Sequence, residues 1–148
     1  MDRIEELKQG VEQGLARIRT QPNVKVEERK EVLAKFLEWR YEVERLKIGR
    51  GLSQNKWAKQ NNIHPSSMSM YMSAQRLPDG DNIYALAFAF GDAIFDIVGD
   101  GGQPVDPRLR FLASIWEQVP ETRKRSWIKE ARASVGAEHP DIETPSFA

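Results

Sequence analysis

Gly51-Leu52-Ser53-Gln54-Asn55-Lys56-Trp57-Ala58-Lys59-Gln60-Asn61-Asn62-Ile63-His64-Pro65-Ser66-Ser67-Met68-Ser69-Met70-Tyr71-Met72 is the stretch on which the reading of the whole chain turns. Ser53 is a good helix N-cap, because its hydroxyl can accept from an amide that the first helical turn leaves unpaired. A helix over 54–60 follows. Asn62 is one of the few non-glycine residues that tolerate the left-handed conformation ending such a helix. His64-Pro65-Ser66-Ser67 then starts another helix: proline at the first helical position has no amide hydrogen to lose and a backbone angle already set. That helix carries Met68, Tyr71 and Met72. Two short helices joined through Asn62-Ile63-His64 are the expected centre of the molecule.

Upstream, a helix is expected from about Glu27 to about Ile48, with Val32, Leu33, Phe36, Leu37, Val43 and Leu46 facing inward. It is longer than the average globular helix. Its first half is free to pair with an N-terminal helix while its second half serves the central domain. Residues 2–19 place Ile4, Leu7, Val11, Leu15 and Ile18 at steps of three and four, which predicts an amphipathic helix with one narrow stripe. That stripe either folds onto its own domain or forms a coiled-coil contact with a second subunit. Gly10 and Gly14 each weaken the helix by roughly 1 kcal/mol relative to Ala, so it needs tertiary support. Gln21-Pro22-Asn23 ends it.

Downstream, Leu77-Pro78-Asp79-Gly80-Asp81-Asn82 is a turn-rich loop before two apolar helices, 83–90 and 93–98. Asp100-Gly101-Gly102-Gln103-Pro104 has linker composition, and Asp106-Pro107 opens a new helix. Leu109, Leu112, Ile115 and Trp116 form one stripe, and a helix after Pro120 carries Trp127, Ile128, Ala131 and Val135. The expected division is an N-terminal helix and loop (1–26), a central domain (27–99), a linker (100–106), a helical hairpin (107–136) and a loosely ordered tail (137–148). The fold class is all-α.

The chain has 148 residues, 40% of them apolar, and no Cys. That length supports one main core with helical additions. A chain without Cys has no disulfide framework, thiolate zinc site or cysteine nucleophile, which points to an intracellular, cytoplasmic setting. The first residues, Met1-Asp2-Arg3-Ile4-Glu5-Glu6-Leu7, lack the apolar core of a secretory signal. Ile83 to Val98 is interrupted by Gly91, Asp92 and Asp96, the pattern of two core helices rather than a membrane span. No membrane association is expected.

Enzymatic chemistry finds little support. His64 and His139 are the only histidines, no metal-ligand spacing occurs, and no glycine-rich phosphate loop follows a strand. Asp79-Gly80-Asp81 lacks the regular oxygen ligands and closing Glu of a calcium loop. No cofactor, metal or catalytic residue is expected, and the four Trp residues read as core or interface fillers.

The pattern Val43-x-x-Leu46-Lys47-x-x-Arg50-Gly51-Leu52-Ser53-Gln54-x-x-Trp57-Ala58-x-x-x-Asn62-Ile63-His64-x-x-x-Met68-Ser69-x-Tyr71, with Leu77-Pro78 and the Phe90-Gly91 boundary, resembles the Cro and phage-repressor-like helix-turn-helix family, also called the Xre family. The resemblance spans about residues 43–99. It implies a five-helix lambda-repressor-like helix-turn-helix domain, here with N- and C-terminal helical extensions, whose second motif helix lies in the major groove of double-stranded DNA. It further implies a DNA-binding transcription regulator or repressor, phage- or mobile-element-like, acting as a homodimer through its terminal helices. Gln54 stands where the family's glutamine meets a phosphate, assisted by the partial positive charge of the helix start. Phosphate contacts are expected at Gln54, Lys56, Arg50, Ser73, Gln75 and Arg76, and base contacts at Pro65, Ser66, Ser69 and Met70.

This chain departs from the pattern in ways that bear on recognition. From Pro65 to Ala74 there is no Arg, Lys, Asn or Gln, the side chains that usually make bidentate contacts to bases. Met72 and Ala74 replace the family's usual Glu and Gly, which predicts a remodelled turn after the helix. Lys and Arg together equal Asp and Glu at 22 each, and from Leu52 to Gly99 three bases face four acids. Phosphate neutralisation supplies most non-specific affinity, so such a balance places the weight on where the charges sit. Arg123-Lys124-Arg125 is a second basic cluster, either a solvated helix face or an auxiliary phosphate contact. The rival reading is a helix-turn-helix domain repurposed as a protein-protein interaction module.

Overall fold

Asp2 begins the first helix by accepting a hydrogen bond from the Glu5 amide at 2.8 Å, and the chain then builds helix after helix. The computed structural model describes residues 2–21, 23–49, 51–99 and 106–135. Pro22, most of the expected linker and the expected tail lie outside the described residues. The helices are α1 (Arg3–Thr20), α2 (Val26–Ile48), α3 (Gln54–Gln60), α4 (Pro65–Met72), α5 (Asp81–Phe90), α6 (Ala93–Val98), α7 (Pro107–Ile115) and α8 (Glu121–Val135), with a 3-10 turn at Trp116–Gln118. Among the described residues every regular element is a helix and there is no strand. No helix in the described residues is long and apolar enough to cross a membrane.

The chain divides into two compact units, Met1–Glu117 and Gln118–Ala148. In the first, α1 lies along α2 and also reaches α6, burying Val11, Leu15 and Ile18. Most of its stripe is therefore used inside the chain, the first of the two alternatives, while Ile4 and Leu7 at its start are half-buried. Gly14 sets the closeness of this seam: a Cβ there would stand 2.7 Å from Val32 Cγ2. Val32, Leu33, Phe36 and Leu37 of α2 are buried as expected.

Two of the six residues expected to face inward from α2 do not join them. Leu46 is 77% exposed and Val43 is half-buried. At about 100° per residue, Leu46 lies nearly half a turn round the helix from Leu37. The inward face continues instead through Tyr41, whose hydroxyl donates to the Leu52 carbonyl at 2.8 Å and whose ring tilts against Trp57. Trp57 is 2% exposed and packs between Tyr41 and Phe90, with ring centroids 5.1 and 5.2 Å away. This aromatic stack joins α2, α3 and α5 in one core with Ala58, Ile63, Met68, Tyr71, Leu86, Ile94 and Ile97.

α7 also belongs to the first unit. The sequence assigns it to a hairpin beyond a linker, but it packs on α5, burying Ala113 and setting Trp116 edge-on to Phe88 at 5.4 Å. Arg110 fixes it further by donating to Asp92 at 3.3 Å and to Asp96 at 2.5 Å. Asp96 also accepts from Arg19 of α1, so one carboxylate links three helices. Leu109 of the expected stripe stays 37% exposed. In the second unit, α8 leaves Trp127 and Ala131 exposed and half-buries Ile128 and Val135.

Asp106 caps α7 by accepting from the Arg108 amide at 2.9 Å. The Arg108 guanidinium, bonded to the same carboxylate, and then the Arg108 amide hold the Asp106 carboxyl down to about 2. A carboxylate depressed in the folded state contributes stability above its unfolded value and loses it as pH falls through the folded one. The cap is thus expected to persist at neutral pH and to fade between about pH 4 and about pH 2. The chemical shift of the Arg108 amide reports this directly, and a midpoint at an ordinary aspartate value would contradict the pairing.

Candidate nucleic-acid interface

The Ser53 hydroxyl accepts from the Lys56 amide at 3.1 Å, the N-cap expected for α3. α3 ends where Asn62 adopts φ of 61°, and the Ile63 amide returns to the Ala58 carbonyl at 3.0 Å. This closes the connection to α4 within four residues and buries Ala58, Ile63 and Met68 between the two helices and the core. His64 then caps α4: its Nδ1 accepts from the Ser66 amide at 3.2 Å and lies 2.7 Å from the Ser66 hydroxyl. The histidine-proline pair indicated a helix start, but nothing in the spacing indicated that the imidazole itself would be the cap.

On α4, Met68 and Tyr71 are buried, and the Tyr71 hydroxyl accepts from Asn82 Nδ2 at 3.0 Å. The opposite face carries Ser66, Ser69, Met70 and Ser73, all exposed, at the i, i+3, i+4, i+7 spacing of a single helical stripe. Three of the four expected base-contact residues, Ser66, Ser69 and Met70, thus share one outward stripe, together with Ser73. Pro65, the fourth, is half-buried and sits to the side of it.

After α4 the chain turns through Ala74, whose φ is 60°, and the Gln75 amide closes onto the Met70 carbonyl at 3.0 Å. The turn keeps a left-handed residue without glycine, at a backbone cost of about 1–2 kcal/mol. Ala74 therefore sits in the left-handed region that favours glycine, and Gln75 and Arg76 emerge exposed. Arg76 lies 3.9 Å from Asp79, a loose surface pair. Lys56 is exposed on α3, Gln54 is half-buried at the start of that helix, and Arg50 lies outside the described residues.

The distribution of acids matters more than their number. Asp92 and Asp96 are half-buried and engaged by Arg110, and Asp96 by Arg19 as well. Hydrogen bonding to Asp96, more than any other influence, holds the Arg110 guanidinium above its ordinary value. The exposed charges of residues 52–99 are therefore Lys56, Lys59 and Arg76 against Asp79 and Asp81. Among the described residues no group of three His, Asp or Glu side chains is placed to hold a metal ion.

No family model, curated protein or solved structure matches this chain.

Proposed function

We propose that this chain is a sequence-specific DNA-binding transcription regulator, a cytoplasmic protein without catalytic activity, which sets α4 in the major groove of double-stranded DNA. The single observation that carries the reading is the outward stripe of α4, mounted on a short helix whose other face is locked into the core. A rigidly held helix with exposed hydroxyl and thioether groups has the size and presentation that a major groove admits. Lys56 and Arg76, with Gln54 and Gln75, supply backbone contacts on either side of it, whereas the Ser73 hydroxyl is already bonded to the Ser69 carbonyl. Two copies on a pseudo-palindromic site would double the base contacts and offset the weak chemistry of one helix. The terminal helices are the proposed dimer contacts, with α1's buried stripe excluded from them.

A second reading has its own observation. Leu46 is 77% exposed and Ile48 56% exposed at the end of α2, surfaces that suit a protein partner.

The two readings separate on one double substitution. With Gln54→Ala and Lys56→Ala together, affinity is expected to fall by a similar factor on every duplex, and the salt dependence of binding to flatten by about one phosphate contact. Titration of labelled duplexes at several salt concentrations measures both. Unchanged affinity and slope would favour the interaction module.

A further inference from the structure

The hydrogen-bonding groups on the α4 stripe are largely committed within the helix. The Ser73 hydroxyl donates to the Ser69 carbonyl at 2.8 Å and approaches the Met70 carbonyl at 3.2 Å. Ser66 Oγ is 2.7 Å from His64 Nδ1, the atom that also accepts from the Ser66 amide. The Ser66 hydroxyl thus lies against the ring nitrogen that caps the helix and is held at the helix start. Among the described residues, that leaves the Ser69 hydroxyl and the Met70 side chain as the outward groups without an intramolecular polar bond. Met70 is 40% exposed, although its neighbours Met68 and Tyr71 are almost wholly buried.

This inventory selects a chemistry. Guanine is ordinarily read by a bidentate Arg or Lys and adenine by a bidentate Asn or Gln, and α4 carries none of these. A thioether can make no strong hydrogen bond to a base edge, but its methyl and methylene groups pack well against apolar surface. In the major groove the one apolar group a base offers is the methyl on C5 of a pyrimidine.

Resting on the reading of α4 as the groove-facing helix, we propose that Met70 reads the 5-methyl group of a pyrimidine, thymine in ordinary DNA, and that this contact is the main source of base discrimination. Ser69, one residue earlier on the same stripe, makes a single hydrogen bond that tolerates several bases. The preferred sites are therefore rich in thymine at the Met70 position and are not defined by a guanine.

The full chain is titrated with the best duplex from a random selection, in which each thymine is replaced in turn by deoxyuridine. That change removes only the methyl group. At one position per half-site the substitution is expected to weaken binding about fourfold, the equivalent of losing burial of one methyl group. Replacing that thymine by cytosine should also weaken binding, and 5-methylcytosine there should recover part of the loss. Met70→Ala, at an exposed position where the fold is not at stake, should bind thymine and deoxyuridine duplexes equally, while Met70→Leu should keep the preference. Duplex binding in which no thymine responds to loss of its methyl, or a preference that survives in Met70→Ala, would overturn the proposal and leave the DNA-binding reading intact. Absence of any duplex binding would overturn both.

Discussion

Replacement of Trp57 by Ala is expected to cost the first helical unit about 3–5 kcal/mol, a large part of what a domain of this size holds. Trp57 is the largest of the fully buried side chains, 2% exposed and flanked by Tyr41 and Phe90. Truncation removes its apolar burial and leaves a cavity where α2, α3 and α5 meet, and the two effects add. The melting temperature should drop by roughly 10–20 °C, followed by the circular dichroism of the helices. Trp57→Phe keeps a ring between the two neighbours and should lose much less. An alanine variant melting within a few degrees of the parent would show that the aromatic stack does not hold the core together. On the proposed reading the loss extends to DNA binding, because Lys56 stands on α3, the helix whose inner face is Trp57.

Gly14→Leu is expected to be the next most damaging change, at about 1–3 kcal/mol from overpacking. At an ordinary helical site, replacing glycine by alanine gains up to about 1 kcal/mol. Here even the first carbon would lie 2.7 and 3.1 Å from the two methyl groups of Val32. Val32 is β-branched and buried, so it has little freedom to swing away. Leucine adds three further carbons to that clash, and α1 must lift from α2. Combining Gly14→Leu with Val32→Ala makes room and should return part of the lost stability, a coupling measurable in a double-mutant cycle by urea denaturation. Additive effects would show that the seam is not set by this contact.

The local signals in the sequence proved reliable and the long-range ones did not. Ser53, Asn62, Pro65 and Asp106 each act through their own neighbouring backbone, so α3, α4 and the start of α7 could be placed from residue chemistry alone. Helix bounds for α1 and α2 followed from apolar periodicity. The inward face of α2 went astray at Leu46 because a list of apolar residues ignores the angle between them, and Tyr41, an amphipathic residue, carries the face onward. The place of α7 depends on Arg110 meeting Asp92 and Asp96, pairs separated by 18 and 14 residues, for which spacing offers no signal. The glycines and the proline at 101–104 made a linker easy to read there, but the packing of α7 on α5 carries the first unit on to Glu117. Of the candidate interface, the stripe of Ser66, Ser69 and Met70 was legible, whereas the engagement of the Ser66 and Ser73 hydroxyls was not. Hydrogen bonding within a helix terminus decides that, and it is a matter of geometry.

Lys56 is exposed and the acids Asp92 and Asp96 are occupied, so the charge balance of residues 52–99 understates what a phosphate backbone would meet. The most direct test of the central claim is selection from random duplex DNA by the purified full chain, at low and at near-physiological salt, with sequencing of what is retained. The account predicts a recurrent pair of half-sites, marked by thymine, that survives the higher salt. No enriched sequence, or retention that disappears as salt rises, would contradict it and leave the exposed end of α2 as the working surface of an interaction module.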